Sequence, residues 1–270
     1  MNNNGSGDNE SSSALTTYSI SMKAKKIGII GGTGLTQLPE LEVISEQLAD
    51  TPLGPTSGLL TEGNWLGKDI VFLARHGHPH SIPPHKINYR ANLLALQQCG
   101  VDTIIAVNAV GGIHPLMESG VIAVPHQIVD YTWGRESTFF DGEFKPLDHI
   151  DLTHPYDNCL RQVLIDSAGD VEFSVQDFGV YGATQGPRLE TIAEVRRMER
   201  DGCDLVGMTG MPEAALAREL NIAYASICLV VNPAAGKSDD DITMDEIRAV
   251  LAGGMDHVKQ LLAVAIKRLQ

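Results

Sequence analysis

Apolar positions along this chain fall into two kinds of segment that alternate from residue 27 onward. Some are short continuous runs bounded by glycine or polar residues, as in buried strands. Others are longer and repeat every three to four positions, as along one face of a helix. The runs predict strands at Ile27–Ile30, Ile70–Ala74, Thr103–Val107, Val121–Val124, Gln127–Asp130, Gly179–Thr184, Leu205–Met208 and Ala223–Val231. The periodic stretches predict helices at Tyr89–Gln98, Asn158–Ser167, Thr191–Arg200, Pro212–Leu220 and Met244–Leu269. Thr243 followed three residues later by Glu246 is a capping-box signature for the last helix, and Asp245 adds charge suited to its positive end. Strands separated by helices of this size predict an α/β fold, a central mixed β-sheet flanked by helices.

Met1–Ser21 stands outside that pattern. It is rich in Asn, Ser and Gly and has neither the basic start nor the apolar core of a signal peptide. It is expected to be a disordered extension, with Met22-Lys23-Ala24-Lys25-Lys26 resembling a second start. Residues 22–270 read as a single domain. Thr132–His154, mixed in aromatic, charged and proline residues, suits an active-site or interface loop better than a boundary. At 270 residues and 43% hydrophobic, the chain can bury a sizeable core. No apolar run approaches the roughly 20 residues of a membrane span, so no membrane association is expected.

A formal charge of −14 argues against bulk nucleic-acid binding, which needs a basic face. Cys99, Cys159, Cys203 and Cys228 are scattered without a Cys-x-x-Cys, as expected for reduced thiols in a cytoplasmic protein. Against this acidic background, two clusters of donors are conspicuous. Ile27–Gly34 is an apolar strand opening into Gly31-Gly32-Thr33-Gly34, and Val71–His80 is one ending in Arg75 with His76, His78 and His80. Glycine turns let backbone N–H groups close on an oxyanion, Thr33 adds a hydroxyl, and a guanidinium matches phosphate geometry. Together they predict a site for a small anion, most simply inorganic phosphate.

The glycine turn is not a dinucleotide fingerprint, because Gln37 stands where the third glycine belongs. The three alternating histidines would share a face of an extended segment, but Arg75, Pro79 and the lack of an adjoining carboxylate disfavour a metal, and none is expected. Asn108-Ala109-Val110-Gly111-Gly112 suits either a turn or a close backbone approach. Glu190 at a helix start and Asn232 before Pro233 each suit a structural role as well as a ligand contact.

Several blocks in this order resemble one family: Ile29–Leu35, Ala74–Gly77, Asn108–Gly112, Gly186-Pro187-Arg188, Met208-Thr209 with Pro212-Glu213, and Tyr224–Ile227. They are similar to the trimeric purine nucleoside phosphorylases, and within these to the methylthioadenosine phosphorylase branch, over nearly everything from Ile27 to about Lys267. The resemblance implies a phosphorylase/hydrolase-like fold, a homotrimer, and phosphorolysis of a nucleoside through an oxocarbenium-like state. Inorganic phosphate is then the co-substrate and no cofactor is needed. It implies that Thr33, Arg75, His76, Asn108, Ala109 and Thr209 hold phosphate, with Met208 under the ribose and His80 near the sugar. Arg75, His76 and Asn232 take the catalytic roles. Leu189, Glu190, Asn232, Pro233, Ala234, Met244 and Asp245 are expected in the nucleoside pocket, with His149 resembling a residue supplied by the neighbouring subunit.

The chain departs from that branch where the base is read. The branch carries a serine after Gly-Pro-Arg-Phe and two aspartates near the end of the Tyr-Ala-Ser-Ile strand; here those positions are Glu190, Asn232 and Ala234. Glutamate and asparagine resemble the pattern of 6-oxopurine phosphorylases. A 6-oxopurine offers an N1–H donor to a carboxylate, whereas adenine N1 is an acceptor, a buried mismatch of roughly 1–3 kcal/mol. Where nucleoside-specific relatives carry a histidine for the 5′-hydroxyl, Met244 gives an apolar wall, a role shared by Ile247 if the alignment takes a one-residue gap. The expected substrate is therefore 5′-methylthioinosine. The alternatives are inosine or guanosine, methylthioadenosine with relaxed base choice, or a binding module without turnover.

Overall fold

Residues 22–239 and 242–269 are described by the computed structural model, so the expected disorder of Met1–Ser21 lies outside the described residues. The chain begins with β1 (Ile27–Gly31), β2 (Glu42–Gln47), β3 (Asp50–Thr51), β4 (Gly54–Pro55), β5 (Leu60–Trp65) and β6 (Lys68–Ala74). It continues through α1 (Tyr89–Gln98), β7 (Thr103–Gly112), β8 (Ile122–Ala123), β9 (Gln127–Asp130), α2 (Asn158–Ala168), β10 (Val175–Gln176) and β11 (Val180–Ala183). The last elements are α3 (Ile192–Arg200), β12 (Leu205–Gly207), α4 (Gly210–Glu219), β13 (Ala223–Pro233) and α5 (Met244–Arg268).

The main sheet runs β10-β8-β13-β7-β1-β6-β5-β2, with β12, β11 and β9 branching from β7. Its centre is parallel: β13, β7, β1 and β6 point the same way, while β5 and β2 turn back antiparallel at one edge. Strands buried on both faces need apolar side chains at every position, which is why these four read as continuous runs. Alternate residues serve opposite layers. Ile29, Ile105 and Ile227 meet α2 and α5 through Leu160, Val258 and Leu262. Ile30, Ile104 and Ala106 meet α1 and α4 through Leu93 and Leu216.

The expected α/β class is borne out, and α1 and β9 have the expected bounds. The capping box of α5 also forms: Thr243 Oγ1 accepts from the Glu246 N–H, and the Glu246 carboxylate accepts from the Thr243 N–H. At 25 residues α5 is long and apolar enough to cross a membrane, yet Val258, Leu261, Leu262, Ala265 and Ile266 are buried in the core.

One expectation is corrected, and strands β2 and β5 were not expected. The segment Asn108–Gly112 is not a loop; it completes β7, paired in parallel with β13 and antiparallel with β12 through Gly111 and Gly112. Turn-prone residues are held extended because both neighbouring strands satisfy their backbone groups. β2 and β5 carry no signal in the apolar pattern. Every residue of β2 is exposed, so its pairing with β5, rather than a buried face, makes it a strand.

Candidate active site

Parallel register brings distant segments to one place. Gly31 pairs with Ala74 and Ile30 with Ala106, so the residues just beyond β1 and β6 leave the sheet side by side, next to the second half of β7. This is the carboxyl-end position where α/β sheets gather ligands. Arg75 N–H donates to the Gly31 carbonyl at 2.9 Å, locking the two strand ends together. Gly32 is required here, because a Cβ would strike the Val107 carbonyl oxygen and come within 2.9 Å of Arg75 Nη1.

Arg75 has no solvent exposure. Its Nε and Nη2 each donate to the Glu213 carboxylate at 2.7 Å, and Nη1 donates to the Val107 carbonyl at 2.9 Å. Tyr224 O–H donates to the same carboxylate at 2.9 Å. Burial by itself would lower the Arg75 pKa, but the charge and hydrogen bonds of Glu213 raise it above the ordinary value, so the guanidinium stays charged. Of five guanidinium hydrogens, these bonds use three. One on each Nη is left over on a side chain that lines a cavity of about 400 Å³.

His76 sits beside it. Burial, and then the Arg75 charge, push its pKa down to about 4. The ring is therefore neutral at pH 7; Nδ1, 2.8 Å from the Ile82 carbonyl oxygen, donates to it, and Nε2 is unprotonated. His80 stacks on His76 with ring centroids 4.3 Å apart and lies 3.2 Å from Thr33 Oγ1. The three histidines do not share a strand face, because the chain turns at Gly77, where φ is 76°. His78 lies instead against Gln37. Thr209 O–H donates to Asn108 Oδ1 at 3.2 Å, and Asn108 Nδ2 donates to Ser226 Oγ at 2.7 Å. Thr33, Arg75, His76, Asn108, Ala109 and Thr209 thus border one end of the cavity.

The other end is built by a loop and a strand bulge. Glu190 lies on the loop between β11 and α3, with Oε1 accepting from Thr184 O–H at 2.6 Å. Asn232 follows a register shift in β13, a bulge after Val230 that brings it opposite Gly111. Its Nδ2 donates to the Pro233 carbonyl at 2.6 Å, leaving the second amide hydrogen and Oδ1 available. His80, Leu189, Glu190, Met208, Asn232, Ala234 and Met244 all border the cavity, joined by the apolar Ile242 and Ile247.

Three expected residues are not brought in. Pro233 contributes its carbonyl to Asn232 and is not part of the cavity wall. Asp245 is turned outward on the first turn of α5 and pairs with Arg248 at 3.0 Å; Ile247, two residues on and 100° per residue around the helix, is buried at the cavity instead. His149 is exposed on the irregular segment 131–157 and does not border the cavity of its own chain.

Arg135 was not singled out by sequence reasoning, having no local pattern in that irregular segment. Its guanidinium donates to the carbonyls of Thr184, Gln185, Met208 and Met211 at 2.6–3.1 Å, tying the loop after β11 to the one after β12. The Arg75–Glu213 pairing was also missed, because only tertiary structure joins residues 138 positions apart.

The site thus combines a buried, partly unsatisfied cation at one end with a carboxylate and a carboxamide at the other, in a cavity of ligand size. A family profile for the phosphorylase superfamily matches residues 26–267, and the chain belongs to that superfamily. The resemblance drawn from the sequence motifs is borne out.

Among relatives, the chain is 56% identical to a Pseudomonas syringae pv. tomato protein named "Probable S-methyl-5′-thioinosine phosphorylase", over 87% of this chain and 96% of that one. It is 44% identical to a "Probable 6-oxopurine nucleoside phosphorylase" of Thermococcus kodakarensis, covering 90% and 92%. Its fold is similar to that of methylthioadenosine phosphorylase from Schistosoma mansoni in complex with adenine, with a TM-score of 0.86, 32% identity, and coverage of 90% and 91%.

Proposed function

We propose that the protein is a pentosyltransferase that phosphorolyses S-methyl-5′-thioinosine to hypoxanthine and 5-methylthioribose 1-phosphate. The observation that carries this reading is the pairing of Glu190 and Asn232 with the apolar Met244, Ile242 and Ile247 around one cavity. Glu190 accepts from N1–H of a 6-oxopurine. Asn232 donates its free amide hydrogen to O6 and accepts from N7–H with Oδ1. At the other end, the remaining Arg75 hydrogens, Thr33 and Thr209 bind phosphate beneath the anomeric carbon. A phosphate oxygen forms the new bond to C1′ as the C1′–N9 bond breaks; the electron pair leaves with the purine, whose N7 becomes basic and takes a proton from solvent. Asn232 favours that state because its Oδ1 gains a donor only once N7 is protonated, a bond made with the departing base and not with the bound nucleoside.

The relatives named for methylthioinosine support this substrate, and those named for 6-oxopurine nucleosides support the same base. An inosine-specific reading fits the site less well, since Met244, Ile242 and Ile247 offer the 5′-hydroxyl no partner. In this reading the protein is a homotrimer in which the exposed His149 completes a neighbour's 5′ pocket. Methylthioinosine, methylthioadenosine, inosine and adenosine are compared at equal concentration, with and without phosphate. Methylthioinosine should lead, and base release should require phosphate. A lead for methylthioadenosine would refute the base reading, a lead for inosine the 5′ reading, and equal release without phosphate the phosphorolysis itself.

A further inference from the structure

Thr184 is held at both ends of its backbone unit. It follows the last residue of β11; its N–H donates to the Gly207 carbonyl at 2.8 Å, and its own carbonyl accepts from Arg135 at 3.1 Å. With the backbone set, its hydroxyl has one hydrogen and two acceptors in reach: Glu190 Oε1 at 2.6 Å and the Gly207 carbonyl at 3.3 Å. The carboxylate takes it, at a distance typical of a charge-assisted O–H···O⁻ bond.

Glu190 needs such an anchor. Its side chain stands between the main cavity and a second one of about 260 Å³, and borders both. A glutamate with three rotatable bonds and space on either side has more than one resting place. The nearby cation attracts it but makes no hydrogen bond to it: Arg188 is engaged by Glu194 through bonds of 2.7 and 2.8 Å.

We infer that Thr184 is a positioning residue for base choice, its hydroxyl holding Glu190 Oε1 so that Oε2 faces N1–H of a 6-oxopurine. The inference rests on the substrate reading above. It goes beyond that reading by assigning the discrimination to a pair, carboxylate and hydroxyl, rather than to the carboxylate alone. Loss of the hydroxyl leaves Glu190 in place but free to turn into the second cavity.

The test uses Thr184→Val, which keeps the shape, and Thr184→Ala, which carries the comparison if the valine protein folds poorly. Thr184→Ser keeps the hydroxyl. For each, kcat/KM is measured with methylthioinosine and methylthioadenosine, together with the KM for phosphate. Val and Ala should lower kcat/KM for methylthioinosine by roughly tenfold or more, leave methylthioadenosine within about twofold, and leave the phosphate KM unchanged. Ser should restore the ratio between the two substrates. In a Glu190→Ala background, Thr184→Val should leave the ratio where Glu190→Ala puts it, since the pair acts as one unit. An unchanged ratio in both Val and Ala, an equal loss for both substrates with a raised phosphate KM, or no recovery in Ser would overturn the inference. A wild-type preference for methylthioadenosine would instead overturn the proposed substrate before any variant is made.

Discussion

Glu213→Gln tests the electrostatic centre of the site. Both members of the Arg75–Glu213 pair are fully buried, joined by two bonds of 2.7 Å. Glutamine presents one acceptor to Nε and Nη2 and sets an NH₂ donor against the other, and Tyr224 O–H must share what remains. Arg75 keeps its charge, because a guanidinium does not give up its proton under these conditions. An uncompensated buried charge costs about 3–5 kcal/mol. At roughly 2–4 °C per kcal/mol for a domain of this size, the Tm should fall by about 6–20 °C. Phosphate bound at the cavity end of Arg75 would return the missing negative charge. Binding to the folded state alone stabilises by RT ln(1 + [L]/Kd), so tighter phosphate binding in the variant appears as a Tm rise that starts at lower phosphate and is larger at each concentration. Calorimetry of wild type and variant across a phosphate series, at fixed ionic strength with chloride as the replacement anion, reads both effects. A variant Tm within about 2 °C of wild type, or equal phosphate-induced shifts in the two proteins at every concentration, would refute the reasoning.

Two further experiments address His76 and the proposed assembly. The His76 pKa is held at about 4 against an ordinary 6.5, so between those values the unfolded chain takes up a proton that the folded chain refuses. Stability contributed by His76 is complete above pH 6.5 and is lost as pH falls toward 4, by up to about 3 kcal/mol; His76→Gln should flatten the Tm–pH curve in that window, and an unchanged slope would remove His76 from the account. Light scattering should give a trimer, and His149→Ala should raise the nucleoside KM while sparing the phosphate KM; a fully active monomer would rule out the shared site.

What local chemistry writes, the sequence declared unaided. β1 and β6 were evident because both their faces are buried, and the cluster of donors at their ends because a glycine turn and an arginine are legible as residue types. Glu190 and Asn232, taken with the family motifs, pointed to a 6-oxopurine before any coordinate placed them around one cavity. Other features depended on partners far along the chain. The turn-like Asn108–Gly112 became strand because β13 and β12 flank it, and β2 formed with no buried face of its own. Arg75 and Glu213 are unremarkable apart, and their pairing exists only where α4 meets the end of β6. Whether Asp245 or Ile247 borders the cavity was settled by how α5 is rotated as its apolar side packs on β13. Residue type and period are local quantities and can be read in order; which hydrogen bonds close, and which side of a helix meets a cavity, depend on the packing of the whole chain.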